Sequence, residues 1–570
     1  MYQAPRFHPR ATRAAAVAVI PLASLLWLSE TRAQGHDPAG NANAEAARPN
    51  VVFFVVDDQS HDALGMMDRY PFLETPNMDR LAEEGAKFDN AFVTTSLCSP
   101  SRATFLSGQY AHRHGVRYND GKDLPDDAPN FAQRLRENGY ETAFIGKWHQ
   151  GPTDDPRRGF DHWVSFRGQG QYFDQEIDVN GQQVQTEGYN TDMLTGYAER
   201  YLRQPKDEPF AMCLWYKAVH APFSPAPRHE DAFADAELPE PASFTDTFEG
   251  KPRWIRRGNA YGGWLKKDWE ASEGKPVPDR ITPRDWDQMG KKRWMDQLRA
   301  LLAVDDSLGR VMKTLDELGE LDNTIIVFTS DNGYFFGEHR RWDKRLAYEE
   351  SMQIPMLVRY PRSIEPGTRV DEMVLSNDIP VTLLDFAGVE PDPRMQGASF
   401  RPLIDRRHEG ESAQWRDAFL YEYFQEPWWL PGVPTINAVR TERWKLITYP
   451  EDDQQIDELY DLKNDPVELN NLAQDPAYAD RVASLRKRLE QLKREADYTA
   501  PSRPGGVQEA PLASVLHWDF SRSGSGRVTD STGNGHHGRV GVAEAQPGRA
   551  GTAVKFNGRG AVRLDNPPGP

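Results

Sequence analysis

Four short runs of apolar residues stand out along the chain, each soon followed by polar side chains. They cover residues 51–56, 142–145, 210–216 and 325–329. Continuous runs rich in β-branched and aromatic residues are typical of strands buried on both faces of a parallel sheet. The pattern therefore predicts that these segments form the centre of one large sheet.

Helical patterns lie between these strands. Thr75 and Pro76 have the form of an N-cap followed by a proline in the first turn, and Gly85 is predicted to end that helix. Further along, apolar residues recur at helical spacing at Leu298, Leu301, Leu308, Val311, Leu315 and Leu318. Strands that alternate with helices predict a large α/β domain, here over residues 49–409.

The pattern changes from about residue 410. Short segments of alternating polarity at 418–424, 435–440, 444–449 and 458–462 predict an antiparallel sheet. One apolar helical face follows, formed by Val482, Leu485, Leu489 and Leu492. We interpret residues 410–498 as a subdomain that caps the first domain and does not stand alone.

The two ends of the chain carry segments of a different kind. Residues 1–33 combine a basic start, a short apolar stretch and a small-residue cleavage site, which predicts a signal peptide; an uncleaved anchor is the alternative. Residues 34–48 form a polar leader, and residues 499–512 form a linker rich in Pro and Gly. We therefore expect a secreted or periplasmic protein without a membrane segment after cleavage.

Residues 513–570 resemble the opening of a laminin-G or lectin-like module, although such modules normally run well over 100 residues. The predicted fold class is thus α/β: a large mixed, mostly parallel sheet flanked by helices. A smaller C-terminal antiparallel-sheet subdomain and a partial jelly-roll-like C-terminal fragment complete it.

Composition narrows the range of functions. The chain has 570 residues, 38% of them hydrophobic, and a formal net charge of −18. Nucleic-acid binding requires a basic surface, so this balance argues against a nucleic-acid partner. An anionic substrate would have to be bound by a local positive pocket. The two cysteines, Cys98 and Cys213, are not expected to form a disulfide.

Polar residues lie at the carboxyl ends of the predicted strands, where open α/β sheets bind ligands. Two acidic or amide pairs, Asp57-Asp58 and Asp331-Asn332, offer only oxygen ligands, which suit Ca²⁺ or Mg²⁺. A single pair of this kind after a strand often belongs to a turn and has no role in metal binding. Candidate cations and proton donors near the same edge are Arg102, Lys147, His149, Lys217, His220 and Lys344.

The stretch from Cys98 to Gly108 reads C-S-P-S-R-A-T-F-L-S-G, with about six positions at fixed spacing. A buried structural thiol is the usual state of a free cysteine and is the simpler interpretation of Cys98 alone. The proline, the arginine and the L-S-G tail occur at the expected spacing, and they favour a modified, catalytic cysteine over a structural thiol. The motif is the signature of sulfatases that oxidise this cysteine to formylglycine.

The chain resembles the formylglycine-dependent sulfatases of the alkaline-phosphatase superfamily over about residues 49–497. Besides C-x-P-S-R at 98–102, the resemblance includes G-K-W-H at 146–149, H-A-P at 220–222, S-D-N-G at 330–333 and K-R-x-x-Y-E-E at 344–350. Within the family it is most similar to the glycan sulfatases of the N-acetylglucosamine-6-sulfatase or heparan type, partly through residues 159–170.

This resemblance implies a role for each site residue. Cys98 would be the formylglycine and would contact the cation, Ca²⁺ or alternatively Mg²⁺, together with Asp57, Asp58, Asp331 and Asn332. Arg102 would support the formylglycine, and Lys147 and Lys344 would bind sulfate oxygens. His220 would protonate the leaving alcohol, and His149 would help the hydrated aldehyde to collapse. The implied partners are a sulfated saccharide and a formylglycine-generating or anaerobic sulfatase-maturing enzyme.

The chemistry of sulfate esters agrees with these roles. Hydrolysis needs charge stabilisation at the sulfate oxygens and a proton for the departing alkoxide. A hydrated aldehyde can expel sulfate by re-forming the aldehyde, whereas a serine would be left as a stable sulfate ester. Arg340 and Arg341, which are close to Lys344 in sequence, are further candidates for binding an anionic substrate, or they are solvated surface charge.

Two alternatives remain open at this point. A phosphonate or a phosphate monoester or diester hydrolase of the same superfamily can share the cysteine signature. A glycan-binding protein with an idle sulfatase fold is the alternative from another class. The complete polar set argues against the glycan-binding alternative, and a comparison of sulfate-ester with phosphate-ester turnover would separate the other.

Overall fold

The computed structural model describes residues 48–252, 254–255, 290–408, 414–426, 433–451 and 456–499, and the backbone of short strands between Trp518 and Leu564. The predicted signal peptide (1–33) and the predicted leader up to residue 47 lie outside the described residues. In the part of the chain that is described, no helix is both long and apolar enough to cross a membrane.

In the described part of the chain, eighteen strands precede the C-terminal segment. In chain order they are β1 (Asn50–Val56), β2 (Ala86–Phe88), β3 (Ala91–Phe92), β4 (Glu141–Lys147), β5 (His162–Phe166), β6 (Glu176–Val179), β7 (Gln182–Gln185), β8 (Phe210–Trp215), β9 (Thr324–Ser330), β10 (Phe335–Phe336), β11 (Trp342–Asp343), β12 (Met356–Arg359), β13 (Thr368–Val370), β14 (Val374–Leu375), β15 (Ala418–Tyr423), β16 (Ile436–Thr441), β17 (Trp444–Thr448) and β18 (Glu458–Asp461).

Ten of these strands form one sheet in the order β13-β2-β12-β9-β1-β8-β4-β5-β6-β7. The five central strands, β9, β1, β8, β4 and β5, are parallel to one another. Strands β12, β6 and β7 pair antiparallel with their neighbours. The prediction of a mixed, mostly parallel sheet is therefore confirmed, and all four predicted apolar runs lie in its centre.

Helices cover both faces of this sheet. The α-helices of the described chain are α1 (Pro76–Glu83), α2 (Cys98–Ser107), α3 (Ala111–His114), α4 (Phe131–Glu137), α5 (Asn190–Leu202), α6 (Lys291–Glu317), α7 (Glu349–Met352), α8 (Asp378–Phe386), α9 (Arg401–Ile404) and α10 (Ala479–Glu495). Val52, Phe54 and Val56 of β1 pack with α1, α5 and α6. The alternating residues of β1 pack with α2, α4 and α8 on the opposite face. Burial on both faces explains why residues 51–56 of this strand are all apolar.

Two details of the predicted helices differ in the structure. The first helix ends at Glu83, and Gly85 is required for a different reason: a Cβ there would lie 2.2 Å from the carbonyl oxygen of Val358 in β12. Leu318 was predicted to continue the apolar face of the long helix. It is the C-cap residue just beyond the end of α6 and is 41% exposed, because the helix and its apolar face end before it.

The strands β15 to β18 form a separate four-stranded antiparallel sheet, as the alternating pattern predicted. Helix α10 covers one face through Leu485 and Leu489. The other face packs against the large domain, with Phe419 close to Phe92 of β3. This sheet therefore shares a hydrophobic core with the α/β part of the chain.

The described backbone of the C-terminal segment is entirely extended. Strands Trp518–Asp519, Arg527–Asp530, Gly538–Val540 and Val562–Leu564 pair antiparallel, and Ala543–Gly548 pairs with Gly551–Phe556. The laminin-G or lectin-like character of residues 513–570 stays a prediction, as do the domain boundaries. The predicted linker at 499–512 lies, from residue 500 on, outside the described residues.

Candidate active site

Two acidic segments meet because β1 and β9 are adjacent, parallel and in register. Val56 pairs with Ser330, so that Asp57 and Asp331 directly follow paired strand ends. The backbone N–H of Asp58 donates to Oδ1 of Asp331 at 3.2 Å. Both aspartates at these strand ends are fully buried, as is Asp58.

Cys98 reaches this pair from helix α2, of which it is the first residue. Its Sγ lies 3.4 Å from Oδ1 of Asp57. One ligand atom from each of Asp57, Asp58, Cys98 and Asp331 falls within 4.8 Å of the others. Three segments that are distant in sequence therefore converge at the carboxyl edge of the sheet.

The residues of this cluster fit a hard cation. Oδ2 of Asp58 and Oδ1 of Asn332 are buried acceptor atoms that have no hydrogen-bond donor. A buried oxygen atom without a hydrogen-bond donor lowers the stability of the fold, and a cation that is coordinated by both oxygen atoms removes this cost. An all-oxygen set of carboxylates and an amide is the donor set that Ca²⁺ and Mg²⁺ prefer.

Three cationic side chains surround the cluster. The ammonium of Lys147, at the end of β4, contacts Asp57, and that of Lys344 contacts Asp58 and lies 3.2 Å from Sγ of Cys98. Arg102, one turn along α2 from Cys98, donates through Nε to Oδ2 of Asp331 at 2.9 Å. All three are almost fully buried, so their charges act at low dielectric.

Two histidines border the same cluster. His149 lies beside Ser99, whose hydroxyl donates to the carbonyl oxygen of His149 at 2.6 Å. His220 places Nε2 at 3.6 Å from Oδ2 of Asp58. Its Nδ1 lies 2.8 Å from the carbonyl oxygen of Ala221. Because a carbonyl oxygen only accepts, Nδ1 carries the hydrogen and Nε2 is the atom that faces the site.

The carboxylates do not titrate alike. Burial alone would raise the pKa of Asp57, but Lys147, His220 and Arg102 hold it well below its usual value. Burial, and then the charge of Asp57, raise the pKa of Asp331 to about 7. The nearby cations therefore stabilise the charged form of Asp57 more than that of Asp331.

The pKa values of the thiol and of two basic side chains are shifted in the direction that favours the neutral form of each group. Burial, and then Asp57, raise the pKa of the Cys98 thiol far above its ordinary value, so an unmodified Cys98 is a weak nucleophile at neutral pH. Burial lowers the pKa of His220 to about 4, although Asp58 opposes this shift. Burial also lowers the pKa of Lys217, which follows β8, to about 8.

The structure brings together ten of the twelve predicted site residues. The other two, Arg340 and Arg341, stack on the ring of Phe248, with guanidinium carbons 5.9 and 5.6 Å from its centre. Arg341 is buried there, and burial lowers its pKa to about 10. Among the described contacts, none joins these two arginines to the carboxylate cluster.

Other residues of the site were not among the predicted set. Gln169 accepts from the ammonium of Lys147 at 2.5 Å, and the hydroxyl of Tyr172 donates to the carbonyl oxygen of His220 at 2.6 Å. Gln297 of α6 donates to the carbonyl oxygen of Asp58 at 2.7 Å. The first two follow β5, a strand that ends at the same sheet edge, and Gln169 also lies within residues 159–170, which contribute to the family resemblance.

Comparisons with known proteins agree with this geometry. The family model for sulfatases matches residues 49–389. The chain belongs to the sulfatase family. A second model, described as N-sulphoglucosamine sulphohydrolase, C-terminal, matches residues 337–495 of the sulfatase, which include the antiparallel sheet and α10.

Individual relatives are similar over most of their length. An N-acetylglucosamine-6-O-sulfatase of Bacteroides thetaiotaomicron is 34% identical over 522 residues, 84% of this sulfatase and 90% of the relative. A solved structure described as a complex with its substrate D-glucosamine-2-N,6-O-disulfate has a TM-score of 0.70 and 33% identity. That match covers 80% of this chain and 100% of that chain.

The phosphonate monoester hydrolase of Agrobacterium radiobacter matches with a TM-score of 0.60 and 22% identity, over 89% of this chain and 100% of that chain. This likeness shows a common fold and carries no argument about the reaction. The family membership identifies the protein as an enzyme that hydrolyses sulfate esters, and the predicted membership of that family is confirmed.

Proposed function

We propose that this sulfatase removes sulfate from a sulfated saccharide, with a 6-O-sulfated glucosamine as the first candidate. One observation carries the proposal: Sγ of Cys98 lies 3.4 Å from Asp57 in a buried cluster of oxygen ligands with unpartnered acceptors. The similarity to proteins named for N-acetylglucosamine 6-sulfate supports the choice of sugar.

Two groups that the family implies fit this cluster. A Ca²⁺ ion, or alternatively Mg²⁺, held by Asp57, Asp58, Asp331, Asn332 and residue 98, would stabilise negative charge on the sulfate oxygens. Formylglycine at position 98 would supply a hydrated aldehyde as the nucleophile. Its formation would require a formylglycine-generating or anaerobic sulfatase-maturing enzyme as a partner before folding, because Cys98 is fully buried in the folded chain.

The cationic side chains around the cluster bind the sulfate group and support the site. Lys147 and Lys344 bind and orient the sulfate group by charge, and Arg102 holds Asp331 in place and so supports the start of α2. Their burial keeps bulk water away from these charges, which strengthens each interaction.

The histidines handle protons. His220 presents Nε2 to the site, where it can donate a proton to the departing sugar oxygen. The negative charge of a bound sulfate ester raises the pKa of this histidine from its low value in the free site. His149, which Ser99 fixes beside residue 98, would accept a proton from the nucleophile at position 98 as sulfate leaves.

The N-terminal segment supports export. A signal peptide at residues 1–33 would direct the sulfatase to the periplasm or to the outside of the cell, where sulfated polysaccharides occur. No nucleic acid is expected as a partner, given the net charge of −18.

The test uses protein that has been co-expressed with a maturing enzyme and assayed on defined substrates. We expect sulfate release from N-acetylglucosamine 6-sulfate, a mass change at residue 98 that corresponds to thiol-to-aldehyde conversion, and no comparable turnover of phosphonate or phosphate esters. The Cys98→Ser variant should lose turnover by at least about 10³-fold, because a serine would be left as a stable sulfate ester.

Cys213→Ala provides the matched control, because Cys213 is the second cysteine of the chain and is also fully buried, in β8. This variant should keep the turnover number of the parent enzyme. Full activity of Cys98→Ser, or a preference for phosphonate esters, would contradict the proposed function.

A further inference from the structure

The loop that follows β5 makes hydrogen bonds to two of the site residues. Within residues 167–175, Oε1 of Gln169 accepts from the ammonium of Lys147 at 2.5 Å. Three residues later, the hydroxyl of Tyr172 donates to the carbonyl oxygen of His220 at 2.6 Å. One short segment is therefore connected to the sulfate side and to the leaving-group side of the proposed site.

The loop is itself held in a defined conformation. The backbone N–H of Gln171 donates to Oε1 of Gln175 at 2.5 Å, and Asp174 N–H donates to the carbonyl oxygen of Gly188 at 3.0 Å. Gly170 has φ +67, and a Cβ there would lie 2.3 Å from the ring of Phe166. These constraints allow the loop to set the positions of the groups it contacts.

On the leaving-group side, Tyr172 is part of a small network around the backbone of His220. The carbonyl oxygen of Ala221 accepts from Nδ1 of His220 and also lies 3.2 Å from the ammonium of Lys217. That ammonium lies 4.9 Å from the centre of the Tyr172 ring. The tyrosine hydroxyl thus holds the backbone from which the imidazole extends, and the network directs Nε2 towards the carboxylate cluster.

On the sulfate side, Gln169 differs from the other partner of Lys147. Asp57 is a carboxylate and neutralises the ammonium, whereas the amide oxygen of Gln169 orients the ammonium without cancelling its charge. The side chain of Lys147 has no exposed surface, and Gln169 is half-buried. A neutral acceptor at this place adds no second negative charge beside the lysine.

We propose that the loop at residues 167–175 positions both arms of the reaction, with Gln169 directing Lys147 at the sulfate group and Tyr172 directing His220 at the departing oxygen. This inference rests on the proposed function. It makes Gln169 and Tyr172 positioning residues with separable effects. Gln169 acts on the charge stabilisation that every sulfate ester needs. Tyr172 acts on proton donation, which matters most when the leaving group is a poor one.

The experiment compares two substrates that differ in the leaving group. N-acetylglucosamine 6-sulfate releases an alkoxide that needs a proton, and 4-nitrophenyl sulfate releases a stable phenolate. We expect Tyr172→Phe to lower kcat on the sugar sulfate by about tenfold and on the aryl sulfate by less than about twofold, since general acid catalysis is worth about 10²–10⁴-fold when complete. Gln169→Leu should lower kcat/KM on both substrates by a similar factor of about ten.

Tyr189→Phe is the matched control. Tyr189 stacks on Tyr172 and also donates its hydroxyl to a backbone carbonyl oxygen, that of Ser224 at 2.9 Å, which is outside the proposed site. The control should leave the ratio of the two activities unchanged. Equal losses of Tyr172→Phe on both substrates, or the same split in Tyr189→Phe, would overturn the role of Tyr172 in proton donation.

A second measurement uses the sugar sulfate alone. If Tyr172 acts through His220, the double variant Tyr172→Phe/His220→Ala should be no slower than His220→Ala, whereas independent effects would multiply. Multiplied losses would overturn the inference while the proposed function stands. Failure of the mature parent enzyme to release sulfate from either substrate would instead overturn the proposed function, so the two failures are distinguishable.

Discussion

Three carboxylates share the centre of the site with two lysines and an arginine, and every one of these groups is buried. The raised pKa of Asp331 and the lowered pKa of Asp57 show that the carboxylates are not equally compensated. Unpartnered oxygen atoms of Asp58 and Asn332 lie in the same cluster. At the scale of single residues, the site is thus built to gain from a bound cation.

We therefore predict that divalent cations stabilise the fold as well as the activity. Treatment with EDTA should abolish turnover and lower Tm, and Ca²⁺ should restore both. A ligand at about a hundredfold its Kd adds about 2.7 kcal/mol to the free energy of unfolding. Calorimetry with and without Ca²⁺ measures this change.

Asp331→Asn should lose most of the Tm response to Ca²⁺, because it removes one charged ligand. Asp126→Asn serves as its control, since Asp126 is exposed and distant in sequence from the strand ends. Equal Tm responses in these two variants would argue against a cation at the cluster.

At the scale of elements, helix α1 shows how a distant residue can complete a helix. Thr75 occupies the N-cap position, yet its hydroxyl makes no cap and instead pairs with Asp79 and with the backbone N–H of Gly65. The carboxylate of Asp305 in α6 accepts from the backbone N–H groups of Asn77 and Met78. The long helix therefore caps the short one.

This cap predicts a pH-dependent contribution to stability. Burial raises the pKa of Asp305 from 3.8 to about 6. A carboxyl whose folded pKa is raised stabilises the fold fully below its unfolded pKa and loses that contribution as pH rises through the folded value. Relative to the neutral variant Asp305→Asn, the free energy of unfolding of the parent should fall by about 1–3 kcal/mol between pH 4 and pH 8.

Urea unfolding of both proteins across that pH range measures the difference. Asp305→Ala, which removes the acceptor altogether, should cost about 1–2 kcal/mol relative to Asp305→Asn at every pH. A parent-to-Asn difference that is constant with pH would contradict the pKa shift, and an Ala variant as stable as the Asn variant would contradict the cap.

At the scale of the whole molecule, His112 connects the large domain to the antiparallel sheet. It lies in α3, and its Nδ1 and Nε2 are each 2.8 Å from an acceptor: a carboxylate oxygen of Glu422 in β15 and the carbonyl oxygen of Ala496 after α10. Two acceptors require two N–H donors, so the imidazole is protonated here. Burial alone would lower the pKa of His112, but Glu422 and the carbonyl group raise it.

We predict that this contact stabilises the association of the two parts at low pH. The contribution is complete below pH 6.5, the ordinary pKa of the group, and is lost as pH rises through the raised folded value. His112→Gln should therefore lower the free energy of unfolding by about 1.5–3 kcal/mol at pH 6 and by less at pH 9.

Guanidinium unfolding at the two pH values checks this prediction. His114→Gln is a close control, because burial lowers the pKa of His114 to about 3 and this histidine stays neutral throughout. Its effect on stability should be the same at pH 6 and pH 9. An effect of His112→Gln that does not change with pH would show that the imidazole is not charged.

Much of this molecule was determined by its sequence alone. The apolar runs at β1, β4, β8 and β9 predicted the buried centre of the sheet, because strands covered on both faces are rich in consecutive apolar residues. The same topology predicted that the residues after those strands meet at one edge. The fixed spacing around Cys98 indicated the family, since local motifs need no knowledge of the fold.

The tertiary structure decided what depends on surfaces from distant parts of the chain. The contacts of Gln169 and Tyr172 with the site, the cap that Asp305 provides, the close approach of Val358 to Gly85 and the burial of Arg341 against Phe248 have no local pattern. Each arises when two elements pack at a particular offset. Hydrophobic periodicity predicts that elements pack, but the offset is decided by side-chain shape across the whole core.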